Sequence, residues 1–207
     1  MKKNSSRLTP LRIGIFGGTF DPVHVGHLIA AVNAKDGANL DLVFMVVANI
    51  PWQKEGTRSL SPAIARYELV KAAVKDVDGL EANDYEIRRG GDSYTIDTVL
   101  EVKNQYPGSE IHLIVGADAA VGLDSWERAE KLSEMVTLVI VNRPGTCIDP
   151  SKVSKWRTLF VDVPSIDISS TDIRARVVQG RPLDYILTKE TITYIRTSGL
   201  YQNDRTS

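Results

Sequence analysis

Two histidines beside two glycines are the residues of this chain best suited to phosphate chemistry. The chain holds three histidines, and two of them, His24 and His27, follow the run Gly17-Gly18-Thr19-Phe20-Asp21-Pro22. Glycines let the backbone approach a ligand closely and adopt positive φ, and histidines three residues apart at a helix start can share one face. The helix start also presents N–H groups and a positive dipole end to an anion. We therefore expect a phosphate group to bind here.

The spacing of the glycines argues against two familiar phosphate-binding loops. Gly14, Gly17 and Gly18 do not fit the G-x-G-x-x-G of dinucleotide-binding enzymes, and the turn lacks the G-x-x-x-x-G-K-[ST] of a P-loop. Either histidine alone would be interpreted as a surface or core residue. A zinc site is a further alternative, although no cysteine cluster or further histidine stands nearby to complete it. Both histidines beside a glycine-rich turn favour phosphate contact.

A second segment, Ile168-Ser169-Ser170-Thr171-Asp172-Ile173-Arg174, could also hold phosphate. Ser169 and Asp172 have the spacing of a capping box, which begins many helices that bind no ligand. The N–H groups, the hydroxyls and Arg174 of this first turn would equally suit a polyphosphate. Two distant segments that each indicate a phosphate site support one another.

Alternating strand and helix patterns predict the elements that position these segments. Strands are predicted over Leu11–Phe16, Leu42–Val47, Ile111–Val115 and Val136–Val141, with further strands over Leu80–Ile87 and Leu159–Val163. Helices are predicted over His24–Lys35, Ser61–Lys75, Thr95–Gln105, Ser169–Val178 and Lys189–Arg196, the second with Ser61 as N-cap and Pro62 in its first turn. Continuous apolar runs indicate strands covered on both faces. The pattern predicts a Rossmann-like, doubly wound α/β fold, in which a mainly parallel sheet carries helices on both faces and binds ligands beyond its carboxyl ends.

Length and composition limit the other possibilities. The 207 residues suit a single domain over residues 11–201, with a small helical part from about 169, between tails at 1–10 and 202–207. A net charge of −1 gives no field that would attract nucleic acid or an anionic membrane. With Cys147 as its only cysteine, and without an apolar run long enough for a signal peptide or a membrane span, the chain is expected in the cytoplasm. The sequence leaves open whether it is a monomer or a homo-oligomer.

The two phosphate segments resemble the signatures of the nucleotidyltransferase superfamily that carries an H-x-G-H motif. Gly14–Leu28 contains every fixed position of G-[GS]-[TS]-F-D-P-x-H-x-G-H, and Ile168–Arg174 matches [IV]-S-[SA]-T-x-[IL]-R. Members transfer AMP or CMP from a nucleoside triphosphate to a phosphate. From about Leu11 to Tyr201 the chain is most similar to the nicotinate-nucleotide adenylyltransferases, which make deamido-NAD from nicotinate mononucleotide and ATP.

The resemblance extends to shorter matches and implies a set of site residues. The shorter matches are Ser93-Tyr94-Thr95, Val115-Gly116-Ala117-Asp118, Trp126, Arg143-Pro144-Gly145 and Ser198-Gly199-Leu200-Tyr201. ATP would be bound by Gly17, Gly18, Thr19, Phe20, His27, Gly116, Asp118, Arg143, Ser169, Ser170, Thr171 and Arg174. Nicotinate mononucleotide would be bound by Thr19, His24, Lys54, Ser93, Tyr94, Thr95 and Trp126. Catalytic roles would fall to His24, His27, Lys54 and Arg174.

Each shorter match also has a plain structural interpretation. Ser93–Thr95 could be an ordinary helix start, but in the family its N–H groups receive the nicotinate carboxylate. Trp126 could belong to the core, but in the family it stacks on the pyridine ring. Asp118 could cap a helix instead of binding ribose hydroxyls. Arg143 could be a charge on a solvent-exposed turn.

Three positions depart from the family pattern. Gln53 replaces the usual histidine before Lys54, Asp92 replaces the usual proline before Ser93, and Glu127 replaces the aromatic residue that often follows Trp126. These differences concern acceptor binding and leave both histidines in place.

The resemblance implies direct in-line transfer. The acceptor phosphate would attack the α-phosphorus of ATP without a covalent enzyme intermediate, and catalysis would consist of positioning and charge stabilisation. Mg²⁺ would arrive with ATP, and the protein itself would supply no metal-ligating side chain. Alternatives are an adenylyltransferase for nicotinamide mononucleotide or another phosphate-bearing acceptor, and a nucleotide-binding regulator without catalysis.

Overall fold

Six parallel strands form one sheet in the computed structural model, which describes residues 9–51, 60–142 and 148–202. The strands are β1 (Arg12–Gly18), β2 (Leu42–Val47), β3 (Leu80–Asn83), β4 (Glu110–Gly116), β5 (Val136–Asn142) and β6 (Thr158–Asp162). Their order across the sheet is β3-β2-β1-β4-β5-β6, and every neighbouring pair is parallel. The chain thus winds outward in one direction from β1 to β3 and in the other from β4 to β6. The β1–β4 junction is the point of reversal, where doubly wound sheets bind their ligands.

The described ranges contain eight helices, of which the last two follow β6 and the others lie between strands. They are α1 (Val25–Gly37), α2 (Ala63–Val74), α3 (Tyr85–Arg89), α4 (Thr95–Gln105), α5 (Ala117–Ala120), α6 (Ala129–Met135), α7 (Ser170–Val178) and α8 (Lys189–Ser198). Short 3₁₀ turns lie at Leu123–Ser125 and Pro150–Val153. The predicted fold class is confirmed. The predicted domain limits remain a prediction, because residues 1–8 and 203–207 of the two tails lie outside the described residues.

Both faces of the inner strands are covered, which explains why β2 is apolar at every position. Successive side chains of a strand point to opposite faces. In β2, for example, Val43, Met45 and Val47 pack with α1, α2, α7 and α8, whereas Phe44 and Val46 pack with α3 and α4 on the other face. Each residue of β2 therefore meets a hydrophobic layer whichever way it points, whereas the edge strand β6 leaves Leu159 and Phe160 exposed.

Two local predictions were wrong. The strand predicted over Leu80–Ile87 ends at Asn83, because the Asn83 side-chain oxygen accepts the Tyr85 N–H at 3.0 Å and the chain turns into α3. Ser61 is not the N-cap of α2, which begins at Ala63. Instead, the Ser61 N–H donates to an Asp21 carboxylate oxygen at 3.3 Å, and this contact ties the approach to α2 to the glycine-rich turn.

Candidate active site

Gly17 and Gly18 are the last two residues of β1 and do not form a separate loop. Gly17 and Gly18 stay in register with Val46 and Val47 of β2, and the positive φ expected of them belongs instead to Phe20, at 50°. A Cβ at Gly18 would lie 2.6 Å from the Phe20 ring, whereas a Cβ at Gly17 would meet no atom within 4 Å. Gly18 is therefore required by packing, and Gly17 keeps the strand end open to a ligand.

The two histidines meet at the start of α1. His24 is the extended N-cap residue, and its N–H donates to Nδ1 of His27 at 3.3 Å. With Nδ1 accepting, a neutral His27 carries its hydrogen on Nε2, which can donate to a phosphate oxygen. The imidazole rings are 3.8 Å apart between centroids, and the Phe20 ring stands edge-on to His27 at 5.1 Å. The arrangement predicted from the spacing, two histidines on one face, is present in the structure.

Two adjoining cavities open at the carboxyl ends of β1 and β4. Phe16, Gly17, Gly18 and Gly116 line both of them. Their volumes, about 210 and 350 Å³, are on the scale of small-molecule sites. We call the first, which Ser93 and Trp126 line, the acceptor cavity and the second, which His27 lines, the nucleotide cavity, after the ligands that the resemblance implies for these residues.

The acceptor cavity gathers most residues that the resemblance assigns to the nicotinate nucleotide. Thr19, Ser93, Tyr94, Thr95 and Trp126 all line it. Tyr94 is the N-cap of α4, so the first N–H groups of that helix lie at this wall. The Trp126 indole lies along the same cavity. A flat ring bearing a carboxylate would find both an aromatic face and N–H donors here.

The nucleotide cavity holds the residues predicted to bind ATP near the first turn. Phe20, His27, Gly116 and Asp118 line it together with Gly17 and Gly18, whereas Thr19 lines only the acceptor cavity. Val141, Val163 and Ile166 give it an apolar wall on the β5 side. His27 lines this cavity, and its ring lies 3.8 Å from the His24 ring between centroids. His24 itself is buried, at 5% exposure, and lines neither cavity.

The second signature lies against the turn rather than in either cavity wall. Ser169 caps α7 and accepts the Asp172 N–H at 3.1 Å, as its spacing predicts. The Ser170 hydroxyl donates to the Pro22 carbonyl at 2.8 Å, and the buried Arg174 guanidinium donates to the Asp21 carbonyl at 2.8 Å and to Thr171 Oγ1 at 3.1 Å. These contacts brace the turn that carries the histidines.

Asp21 and Tyr201 form a contact that sequence reasoning missed. The Tyr201 hydroxyl donates to Asp21 Oδ1 at 2.8 Å, across 180 residues, and both side chains are buried. Burial and the Asp21 carboxylate raise the pKa of Tyr201 well above its ordinary value of 10. Both residues stand in quoted matches, Asp21 in the first signature and Tyr201 at the end of the resemblance, but their pairing leaves no mark in the sequence.

Two further polar residues went unnoticed in the sequence. Arg66, 1% exposed, donates to backbone carbonyls around both β1 and β2. Glu86, 6% exposed, lines the acceptor cavity and accepts the Thr98 hydroxyl hydrogen at 2.8 Å. A charged residue three and four positions before Leu69 and Val70, on the apolar face of α2, was the available signal for Arg66.

Some predicted residues cannot be placed. Lys54 and Arg143 lie outside the described residues, and so does Gln53, which replaces the usual histidine before Lys54. Glu127, which replaces the aromatic residue that often follows Trp126, is exposed and lines the acceptor cavity. Within the described ranges, no three His, Cys, Asp or Glu side chains gather to hold a metal ion, and no helix is long and apolar enough to cross a membrane.

Comparison with known proteins agrees with this geometry. The family model described as Cytidylyltransferase-like matches residues 15–176, which gives the class of protein. A Desulfitobacterium hafniense protein named "Probable nicotinate-nucleotide adenylyltransferase" is 40% identical over 203 residues, covering 93% of this chain and 97% of that protein. A Thermus thermophilus protein of the same name is 40% identical over 192 residues, covering 93% and 100%. The chain belongs to the cytidylyltransferase-like family and, within it, to the family of the nicotinate-nucleotide adenylyltransferases.

A solved structure supports the fold assignment. The Plasmodium falciparum nicotinic acid mononucleotide adenylyltransferase, in complex with NaAD, superposes with a TM-score of 0.74 and covers 92% of this chain and 97% of its own. At 22% sequence identity, this likeness concerns the fold.

Proposed function

We propose that this protein transfers the adenylyl group of ATP to nicotinate mononucleotide, releasing pyrophosphate and forming nicotinate adenine dinucleotide for NAD biosynthesis. The observation that carries the proposal is the pair of adjoining cavities. One presents Trp126 and the start of α4, the other presents His27, and the glycine-ended strand β1 runs between them. Two substrates bound in these cavities would meet beside the histidine pair.

The acceptor cavity favours an acid over an amide. The N–H groups at the start of α4 can only donate, so a carboxylate matches them, whereas an amide would have to turn its carbonyl toward them and leave its NH₂ to find another acceptor. In the proposal, Tyr94 and Thr95 receive the carboxylate through their backbone N–H groups, and Trp126 stacks on the pyridine ring. Ser93 lines the same wall, but its N–H already donates to the Ile50 carbonyl at 3.1 Å. Thr19 would contact the acceptor phosphate, and Lys54 would add positive charge to it. His24, which is buried and lines neither cavity, would act through His27.

The transfer itself needs no protein nucleophile. An oxygen of the acceptor phosphate attacks the α-phosphorus of ATP, the new P–O bond forms, and the bond to the bridging oxygen of the β-phosphate breaks, so that pyrophosphate leaves. His27 donates its Nε2–H to an α-phosphate oxygen as charge redistributes, and His24 holds the His27 ring through its N–H. Gly17, whose Cβ position is open, lets the reacting phosphates approach the strand end.

The second signature supports the ATP side in two ways. Ser169, Ser170, Thr171, Arg174 and Arg143 remain proposed ligands of ATP. Their hydrogen bonds to Asp21 and Pro22 also keep the turn in place, so that the histidines hold their position. In the proposal, Mg²⁺ comes with ATP and would neutralise the departing pyrophosphate. A cytoplasmic location remains a prediction from the sequence.

Following ATP labelled with ³²P at its α-phosphate tests the proposal. With Mg²⁺ and nicotinate mononucleotide, the label should pass directly into the dinucleotide at the rate of pyrophosphate release. Label retained on denatured protein would contradict direct transfer. Tight ATP binding without any transfer would favour the regulator.

A further inference from the structure

Arg66 of α2 is a buried cation whose hydrogen bonds reach several segments around the site. Its Nη1 donates to the carbonyl of Thr19 at 2.8 Å and to that of Ala48 at 2.7 Å. Its Nη2 donates to the carbonyl of Asn49 at 3.1 Å, and its Nε donates to that of Ser61 at 2.9 Å. One planar side chain thus joins the segments that follow β1 and β2 with the approach to α2.

Asn49 continues this connection to the acceptor wall. Its backbone N–H donates to Ser93 Oγ at 2.8 Å, and its side-chain amide donates to the Gly91 carbonyl at 2.8 Å. The Ser93 N–H in turn donates to the Ile50 carbonyl at 3.1 Å. The segment before α4 is therefore attached to the end of β2, which Arg66 attaches to the end of β1.

Thr19, Ala48 and Ser93 all line the acceptor cavity, whereas Arg66 and Asn49 stand behind it. We propose that Arg66 is a positioning residue which, through Asn49, fixes the acceptor wall at Ser93–Thr95 relative to the turn at Thr19. The inference rests on the proposed function, because it assigns that wall to the acceptor. A bound nicotinate mononucleotide has its ring at this wall and its phosphate at the turn, so the distance between the two decides whether the phosphate is aligned for attack.

The guanidinium suits this task because of its shape. Arginine presents five N–H donors in a rigid plane, and here one plane serves four carbonyls from three separate parts of the chain. Lysine would keep the charge but offers one compact ammonium on a flexible stem, which cannot hold the same four carbonyls in one geometry. Arg66→Lys therefore removes the bracing while preserving the buried charge.

The test compares Arg66→Lys and Asn49→Ala with a matched control on the same helix. Leu69→Ala removes a fully buried side chain of α2 without touching this network, so it loses stability alone. Loss of folded protein lowers the apparent kcat and leaves KM unchanged. Loss of positioning instead raises the KM for nicotinate mononucleotide, by about tenfold or more for Arg66→Lys and by about threefold for Asn49→Ala, while the KM for ATP changes much less.

Hydrogen exchange supplies a readout that needs no turnover. The Asn49 and Ser93 amides should exchange faster in Arg66→Lys than in Leu69→Ala at equal thermal stability. An acceptor KM within about twofold of wild type in both network variants, with unchanged exchange, would overturn the inference. If Arg66→Lys does not fold, Asn49→Ala decides by the same KM criterion through the side-chain bond to the Gly91 carbonyl, which it removes while both backbone bonds of Asn49 remain. A wild-type chain without turnover would defeat the proposed function, and the exchange rates would still decide whether Arg66 holds the wall.

Discussion

Replacing Tyr201 by phenylalanine should destabilise the protein through the turn that carries the histidines. The substitution keeps the buried ring and removes only the hydroxyl that donates to Asp21 Oδ1 at 2.8 Å. Both residues are buried, Tyr201 at 7% and Asp21 at 3% exposure, so water cannot readily replace the lost donor. A hydrogen bond to a charged group contributes about 1.5–3 kcal/mol net, and we expect a loss of about 2 kcal/mol in the free energy of unfolding. For a chain of this length, that corresponds to a fall in Tm of about 4–8 °C.

Thermal and urea denaturation of Tyr201→Phe measure this loss, and the chain supplies its own control. Tyr185 is 94% exposed, so Tyr185→Phe removes a hydroxyl that is already in water and should leave Tm unchanged. An unchanged urea m-value would locate the effect in stability rather than in the compactness of either state. If Tyr201→Phe melts within about 1 °C of wild type, the buried contact contributes little and the reasoning is refuted.

Three further predictions concern the pH dependence of stability, the transfer step and the stacking of the pyridine ring on Trp126. Because the pKa of Tyr201 is raised in the folded protein, the unfolded chain loses this phenol proton first as pH rises past about 10. The difference in free energy of unfolding between wild type and Tyr201→Phe should therefore have its full size below pH 10 and shrink above it. Urea denaturation across this pH range measures the difference, and a constant difference would contradict the prediction. His27→Ala should lower the single-turnover transfer rate by about 10²–10³ with a much smaller change in ATP binding, and near-normal turnover would remove His27 from the mechanism. Trp126→Ala should raise the acceptor KM by about tenfold in steady-state kinetics and leave the ATP KM nearly unchanged, whereas equal effects on both would indicate a structural role.

The strands of the sheet could be predicted because the burial of a strand on both faces is visible in the strand's own residues. A strand buried on both faces must be apolar at every position, and LVFMVV of β2 is apolar at every position. The pairing of His24 with His27 could also be predicted from the sequence, since side chains three residues apart at a helix start share one face. In contrast, α3 was predicted as strand because Tyr85 and Ile87 suit a strand as well as a helix. The Asn83 side chain decides between the two by accepting the Tyr85 N–H.

What the sequence concealed are contacts between its distant parts. Arg66 donates to carbonyls of Thr19 and Ala48, and a backbone carbonyl acceptor carries no residue-type signal. The Tyr201–Asp21 contact spans almost the whole chain. The second signature was predicted to grip ATP, and its hydrogen bonds to Asp21 and Pro22 give it a bracing role that motif spacing does not express.

Pyrophosphate release with different acceptors tests the proposed function most directly. Wild-type protein with ATP and Mg²⁺ is given nicotinate mononucleotide, nicotinamide mononucleotide or no acceptor, and the products are identified by mass. We predict rapid release and nicotinate adenine dinucleotide with the acid, a kcat/KM at least about tenfold lower with the amide, and only background release without an acceptor. Equal rates with acid and amide would end the acid specificity assigned to the wall at Ser93–Thr95, and absence of release with nicotinate mononucleotide would contradict the proposed function itself.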